Sequence, residues 1–358
     1  SSNALIYYVF WEMSLIPIYF IIILWGNDEV RKRRKAAMTF FLFTFLGSLF
    51  MLAAIIFMYV KTGSFELSAF HTANLTAGEQ LWVFLAFFLA YGIKIPIFPF
   101  HTWQANVYQK APTIGTMLLA GLMSKMGAYG IIRWQLSAAP DAALQLQPWV
   151  VTLCIVGVIY GAIIALRQDD LKKFLAYASL SHVGFLAAGA YSLTFDGIQG
   201  SLILIMAHGF GIVGLFHGAD IIYRRTGTLS IKDMGGFQNY APRFSISFLM
   251  MILASIAIPL SFNFVGEFTI MYGLYQVDKW YAVLIGLSMF MGAFFMLRMY
   301  QQVMLGPPQE SKFKDLGVNE SIVFALIMAV ILFFGVYTMP ISELVAPSVH
   351  EIINSINR

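Results

Sequence analysis

The sequence predicts an all-α polytopic membrane protein, and three observations lead to this fold class. Hydrophobic residues make up 59% of the 358 residues and charged residues 11%, whereas soluble domains carry roughly 25% charged residues. Several apolar runs approach the roughly 20 residues that a helix needs to cross a bilayer. These runs lack the alternation of outer-membrane barrel strands, so helices are the remaining spanning structure. A soluble protein is therefore excluded.

Apolar periodicity predicts about ten transmembrane helices, at 4–25, 36–60, 81–107, 113–134, 149–166, 172–191, 199–223, 244–277, 280–303 and 321–341. The third and the eighth are too long for simple spans, and each is interrupted, by IPIFP at residues 95–99 and by IPLSFNFVGE at residues 258–267. These two helices lie an odd number of spans apart and so cross the membrane in opposite directions. Interrupted helices in opposed halves are typical of inverted-repeat transporters.

We therefore expect two inverted five-helix units and one additional helix. Residues 1–135 would form the first repeat, which lacks its first helix, and residues 149–303 the second. Residues 321–341 would form an extra C-terminal transmembrane helix. The chain starts almost directly in a span and without an initiating Met, which predicts that it is a fragment.

Basic residues predict the orientation of the chain. The formal net charge of +4 does not indicate nucleic-acid binding, because the basic residues are spread over short turns. Only Lys61, Lys279 and Arg358 fall on one side of the membrane. The other side carries Arg31 to Lys35, Lys110, Arg167, Lys172, Lys173, Arg224, Arg225, Lys232, Arg243, Lys312 and Lys314. This rich side is expected to face the cytoplasm of a bacterial inner membrane.

The single cysteine, Cys154, lies inside an apolar run. It predicts no disulfide, no thiolate zinc site and no iron–sulfur ligation. We accordingly expect neither a metal nor a cofactor on this chain, and any redox chemistry to take place elsewhere.

Six ionisable residues lie far from the ends of their predicted spans, each on a different helix: Glu12, Lys94, Lys125, His182, His208 and Glu267. A Lys or an acid at the bilayer centre costs about 2.5 to 3.5 kcal/mol, so these two lysines and two glutamates together cost on the order of 10 kcal/mol unless they are paired or hydrated. Their presence requires compensation.

Two interpretations account for these residues. In the structural one, Glu12 and Lys94 form a buried salt bridge, but Lys125 and Glu267 then remain unexplained. In the functional one, the six residues are stations of a proton path. Burial disfavours the charged form of each group and a neighbouring opposite charge restores it, so opening or closing a Glu–Lys pair releases or loads a proton.

The two histidines suit such a path because an unperturbed imidazole titrates close to physiological pH. Helix packing through hydrogen bonds is the simpler alternative, and axial ligation of a haem is another. His217, closer to the cytoplasmic end, could connect the path to water. His101 and His71 are expected at the interface or in loops, and Arg133 and Arg298 are expected to anchor span ends, with Arg133 as an accessory site residue.

Five motifs, in order, resemble the antiporter-like subunits of respiratory complex I, a NADH:quinone oxidoreductase, and within that family the M-type chain. The motifs are EMSLIPIYFII, KIPIFPFHTW, APTIGTMLLAGLMSKMGAYGIIRW, RQDDLKKFLAYASLSHVGF and FVGEF. The resemblance covers essentially the whole chain, beginning at the family's fifth transmembrane helix. It implies a 14-helix protein with two inverted five-helix units.

By motif, the resemblance assigns proton-translocation roles to the six mid-membrane residues. Glu12 matches the glutamate of the family's fifth helix, Lys94 the lysine of the first broken helix, and Lys125 the central lysine of the next. His182 and His208 match the histidines between the two halves, and Glu267 matches an acidic residue that many relatives replace with lysine. The chain departs from the family after HTW, where it reads QANVYQKAP, so Gln104, Asn106 or Tyr108 would hold water there.

The resulting hypothesis is a proton-translocating membrane subunit of a NADH:quinone oxidoreductase, whose partners are the other membrane subunits, the lipid bilayer and protons. Protons would load Lys125 from the cytoplasm and pass along His182 and His208 toward Glu267, with Glu12 and Lys94 as the gate. One alternative is a cation/proton antiporter subunit of an Mrp-type or hydrogenase-linked complex, although no cluster of oxygen ligands for sodium is evident. The others are a structural spacer and a haem-bearing electron carrier.

Overall fold

The computed structural model describes residues 1–307 and 313–356, and these residues are almost wholly helical. In chain order the helices are α1 (Ala4–Trp25), α2 (Val30–Thr62), α3 (Leu67–His71), α4 (Ala77–Lys94), α5 (Gln104–Lys110), α6 (113–138), α7 (Pro140–Ala165), α8 (Leu171–Ala190), α9 (Phe195–Thr226), α10 (Pro242–Ser255), α11 (Phe262–Val277), α12 (Lys279–Leu305), α13 (Val318–Val336) and α14 (Met339–Ile356). Lys312 and Arg358, which contributed to the predicted orientation, lie outside the described residues.

The predicted fold class is confirmed, and each of the ten predicted helices has a counterpart. Within the described residues, α1, α2, α7, α9, α12 and α13 are long and apolar enough to cross a membrane on their own. The basic residues 31–35 are helical and lengthen α2 at its start, because Lys and Arg are good helix formers. The chain is a multi-pass membrane protein.

The helix predicted at 321–341 was too long, and α14 was missed. α13 ends at Val336, and the chain turns before Pro340 into a separate helix. The buried residues of α14 are Ile341, Val349, Ile352 and Ile356, which share one face, while Leu344 and other residues are exposed. An amphipathic helix has no continuous apolar run, so a search for spans does not find it.

Both predicted helix breaks are present, but the second is shorter than predicted, because residues 262–267 already belong to α11. Residues 95–103 separate α4 from α5, and the Phe98–Pro99 peptide bond in this segment is cis. The Trp103 indole donates a hydrogen bond to the Ile93 carbonyl at 3.0 Å, which satisfies a group that the lost helix would have used. Residues 256–261 separate α10 from α11, and Ser261 caps α11.

The loops that carry or adjoin most of the basic residues on the rich side meet at one end of the bundle. We call this end the basic end and define it as the loops 26–29, 111–112, 166–170 and 227–241. Backbone hydrogen bonds join them: Asn27 donates to Lys110 at 2.9 Å, and Ile231 donates to Asp169 at 2.7 Å. Arg225 at the end of α9 binds Glu320 at 2.5 Å and so attaches α13 to the same end. These contacts hold the helices in a defined register at the basic end.

The interior of the bundle is built around α8, in which nearly every side chain is buried. Helices α6, α9 and α11 pack around it, and α13 lies at the periphery with most of its side chains exposed. Gly200 of α9 faces Gly266 of α11, and a Cβ at Gly266 would lie 3.0 Å from the Leu204 side chain. This close approach brings the start of α11, with Glu267, against the interior helices.

Candidate functional site

Four of the six predicted residues form one polar line through the interior. The Lys125 ammonium lies 2.7 Å from His208 Nδ1, and His182 Nδ1 lies 2.9 Å from a Glu267 carboxylate oxygen. The two imidazole rings connect these pairs, with their centroids 5.6 Å apart. The order along the line is Lys125, His208, His182 and Glu267, so the order suggested by the sequence, His182 before His208, is reversed.

The local structure of α6 positions Lys125. π-helical turns at Leu119–Met123 and Ile131–Gln135 flank it, and such turns often occur at functional sites because they release backbone carbonyls. The Ala120 carbonyl accepts hydrogen bonds from the Ser124 hydroxyl and from the Lys125 ammonium. Ser124 is also 3.3 Å from the ammonium. Lys125 is 6% exposed, and its nitrogen is therefore held by oxygen acceptors on one side and by His208 on the other.

His208 connects the lysine to the next helix. Its Nε2 lies 3.4 Å from the Ser179 hydroxyl of α8, while its Nδ1 contacts Lys125. Both ring nitrogens are thus engaged by side chains that can donate or accept a proton. This arrangement supports a relay role for His208 in preference to a ligand role.

A small cavity lies beside the other end of the line. It is lined by Ser181, His182, Phe185, Ile256, Glu267, Ser288, Met289, Gly292 and Phe295 and has a volume of about 10 Å3. A cavity of about 10 to 15 Å3 is the smallest that holds a water molecule, provided that polar partners are present. Here Glu267, His182 and two hydroxyls supply such partners. The cavity can therefore hold a water in contact with the carboxylate.

Glu12 and Lys94 form a separate cluster and not the salt bridge of the structural interpretation. Lys94 is 2% exposed, and its ammonium has no hydrogen-bonding partner within residues 1–307 and 313–356. It lies 5.0 Å from the centroid of the Trp11 ring and 6.0 Å from that of Phe40, distances at which the ring faces attract a cation. One Glu12 oxygen is likewise buried and unpartnered, near Ser48. The pair is open in this structure.

The accessory residues lie away from the line. His217 packs its ring on Phe324 of α13, with centroids 5.0 Å apart. Arg133 lines a groove between α6 and α14 together with Leu344 and Ile352, which agrees with an anchoring role at a span end. His101, expected at the interface or in a loop, is instead 6% exposed and packs against Tyr160.

The sequence predicted Lys172 as the first residue of a helix on the basic side of the membrane, but the structure buries its side chain completely in the first turn of α8. Its ammonium donates to the Ala111 carbonyl at 2.9 Å, between α5 and α6. Lys172, Ser179 and His182 are spaced by seven and three residues and so share one face of α8. This spacing is present in the motif RQDDLKKFLAYASLSHVGF and could have predicted that the three side chains lie on the same side of the helix.

Asn263 was also missed. It is 1% exposed, and neither its amide nitrogen nor its carbonyl oxygen has a partner among the described residues. It lies one helical turn before Glu267 on α11, and its oxygen faces Gly211, three residues after His208. Because a buried amide without partners is costly, this position suits bound water. The position of Asn263 four residues before Glu267 places both side chains on the same face of a helix, and this spacing could have identified Asn263 from the sequence.

The polar residues after HTW differ in burial. Gln104 and Tyr108 are each 1% exposed, whereas Asn106 is exposed, so only the first two are placed to hold internal water. At the surface nearby, the Lys110 ammonium binds Asp28 and holds the pKa of that carboxyl at about 2. Asp28 therefore stays ionised near neutral pH, and the ion pair is lost only as the pH falls toward that value. It does not exchange protons under physiological conditions.

No cluster of three or more His, Cys, Asp or Glu side chains that could hold a metal ion is found in the described part of the chain. The candidate site has three parts. They are the buried line of Lys125, His208, His182 and Glu267, the open pair of Glu12 and Lys94, and the buried Lys172 near the basic end.

Comparison with known proteins places this geometry in context. The family model described as "NADH:quinone oxidoreductase/Mrp antiporter, TM" matches residues 1–294. The chain is 36% identical over 356 residues to NADH-ubiquinone oxidoreductase chain 4 of Marchantia polymorpha, covering 99% of the chain and 72% of the relative. It is 36% identical over 358 residues to NADH-quinone oxidoreductase subunit M of Rickettsia bellii, with the same coverage.

Chains in two solved structures have the same fold as this chain. A chain of the respiratory complex I from Thermus thermophilus with bound NADH superimposes with a TM-score of 0.95 at 33% identity, covering 99% of this chain and 76% of that one. A chain of the Mrp complex from Dietzia sp. DQ12-45-1b superimposes with a TM-score of 0.88 at 18% identity, over 99% and 76% of the two chains. The second similarity shows a shared fold.

Proposed function

This chain belongs to the family of transmembrane subunits shared by NADH:quinone oxidoreductases and Mrp antiporters, and we propose that it is a proton-translocating membrane subunit of a NADH:quinone oxidoreductase. The curated relatives and the complex I chain described above support this assignment. The chain's partners are then the other membrane subunits of that complex and the lipid bilayer. The oxidation and reduction steps take place on other subunits, and this chain moves protons without a resident cofactor.

The observation that carries the proposal is the line from Lys125 through His208 and His182 to Glu267, with hydrogen-bonding distances in its first and last pairs and a contact between the two imidazole rings in the middle. Each member can bind or release a proton, and each lies close to the next. A proton accepted by Lys125 passes to His208, then to His182 and to Glu267, from which it leaves toward the other face. A spacer subunit has no need to bury four such groups in contact with one another.

The open Glu12 and Lys94 pair acts as the gate in this proposal. With the pair open, the aromatic faces of Trp11 and Phe40 stabilise the Lys94 cation. Movement of Lys94 toward Glu12 would replace this cation–π contact with an ion pair. It would thereby change the electrostatic field at the other ionisable residues of the interior. Such a movement is the switch that a neighbouring subunit would drive.

The basic end faces the cytoplasm of a bacterial inner membrane in this proposal, in accordance with the positive-inside rule. The two inverted units are residues 1–135 and 149–303, with the helix breaks at corresponding positions in each. The uptake route starts at a groove of about 370 Å3 at the basic end, lined by Gln109, Asp169, Asp170 and Tyr223 among others. From there it passes Lys172 and Ser179 on α8 and reaches the beginning of the line, where Lys125 takes up the proton.

Replacement of Lys172 tests this route, with its neighbour as a matched control. We expect Lys172→Met to slow proton uptake by about 10²-fold, because positioned proton-transfer groups typically contribute 10²-fold or more. Lys173→Met, at a partly exposed position, should leave uptake near the wild-type rate. Both rates are measured as NADH-driven acidification of sealed vesicles that contain the assembled complex. Equal rates in the two variants would remove Lys172 from the route.

A sodium-transporting antiporter subunit is the second candidate, since the fold is shared with a chain of an Mrp complex. The ion is identified by NADH-driven charge movement in vesicles prepared with and without sodium. We expect undiminished proton pumping in sodium-free buffer, because the line offers proton carriers and not the several oxygen ligands that sodium needs. Pumping that requires sodium would overturn the proton assignment.

A further inference from the structure

Two cavities approach each other on the basic-end side of Glu267. The larger is a cleft of about 680 Å3 at the basic end, lined by both apolar and polar side chains, the polar ones including Gln168, Asp169, Arg298 and Gln301. The smaller is the cavity of about 10 Å3 beside His182 and Glu267. Phe295 of α12 is the one described residue that lines both. It therefore forms the wall between this surface cleft and the second half of the proton line.

The wall is aromatic and packed. Phe295 is 1% exposed, and its ring meets that of Phe174 on α8 edge to face, with centroids 5.6 Å apart. Phe174 lines the cleft as well. On the other side of Phe295, three residues earlier on α12, Gly292 lines the small cavity, and a Cβ added there would meet no atom within 4 Å. Space is thus available on both sides of the ring pair.

We propose that Phe295, supported by Phe174, is a hydrophobic barrier that separates the cytoplasmic cleft from Glu267 and prevents protons on that carboxylate from returning to the cytoplasm. A hydrophobic constriction blocks conduction because water does not wet it. Because the barrier closes the route back to the cytoplasm, Glu267 releases its proton to the opposite face. Transport through the second half of the line then runs in one direction. The proposal rests on the proton-translocating function stated above.

Accessibility of the small cavity is the first test. Gly292→Cys is introduced with Phe295 intact and with Phe295→Ala, and the assembled complex in inside-out vesicles is treated with a small membrane-impermeant thiol reagent. The native Cys154 is buried and provides the unlabelled background. We expect no labelling of the introduced thiol behind Phe295 and rapid labelling with Phe295→Ala. Labelling that is equal in the two proteins would overturn the barrier.

Proton leak is the second test and needs no NADH turnover, so its outcome is independent of whether the complex pumps. After an imposed pH step, we expect Phe295→Ala vesicles to lose the gradient roughly threefold faster than wild type, because the dewetted constriction is opened. Phe294→Ala is the matched control, since the neighbouring ring is 58% exposed on the outer surface of the bundle. It should leave the leak unchanged.

A double variant decides the path of the leak. Adding Glu267→Gln to Phe295→Ala should restore the slow wild-type decay if protons pass through the carboxylate. A fast leak that persists in the double variant would show a bypass and refute the assigned role of Phe295. If Phe295→Ala fails to assemble, Phe295→Leu is tested in the same two assays, and wild-type labelling and leak in that variant would count against the barrier.

Discussion

Lys125→Ala in the assembled oxidoreductase is expected to reduce proton pumping and the coupled NADH:quinone turnover by about 10²-fold or more, the scale on which positioned proton-transfer groups contribute. The ammonium is the group that joins the α6 carbonyls to His208, at 2.7 Å from the imidazole. Its removal leaves His208 with no proton donor on that side. The measurement compares initial rates of NADH oxidation and of vesicle acidification at matched complex content.

Two controls separate proton transfer from packing. Lys125→Met retains most of the side-chain volume and should be as inactive as Lys125→Ala, since neither carries a titratable nitrogen. Lys35→Ala removes an exposed lysine at the start of α2 and should pump normally. If the complex assembles with Lys125→Met and pumps at the wild-type rate, the interior charges are structural and the mechanism proposed above is wrong.

Glu267→Gln is expected to abolish most pumping while the complex still assembles. Glutamine has nearly the same shape and can hydrogen-bond to His182, whose Nδ1 lies 2.9 Å from the carboxylate. Its amide does not titrate, however, and so cannot take up and release a proton. We expect the pumping rate to fall by about 10²-fold, as for the loss of a positioned proton-transfer group. Since His182 and Glu267 act as a contacting pair, adding His182→Asn should cause little further loss, because effects of neighbouring residues in one network are not additive.

The control for the acid is Glu343→Gln, at an exposed position of α14, which should retain the wild-type number of protons pumped per electron. Steady-state acidification and NADH oxidation in the same vesicles give this ratio. Wild-type pumping with Glu267→Gln would show that protons leave the line before Glu267, and the path would then end at His182.

Much of the site was accessible from the residues alone. Lys94, Lys125 and Glu267 stood out because a charged group in an apolar span is costly, and IPIFP marked the first helix break because proline cannot continue a helix. The burial of Lys172 was not predicted, since a lysine at the start of a helix beside a charged loop looks exposed until its contact with the Ala111 carbonyl is known. Asn263 was overlooked because uncharged side chains carry a weaker penalty and a weaker signal.

The sequence by itself determined the membrane class, the broken helices and the set of interior ionisable residues, because hydropathy and proline act through local chemistry. The tertiary structure alone decided how those residues are connected. Lys125 and His208 are 83 positions apart, and His182 and Glu267 are 85 apart, so their contacts depend on how α6, α8, α9 and α11 pack. The same packing leaves Lys94 on Trp11 and places Phe295 between two cavities, which no local pattern encodes.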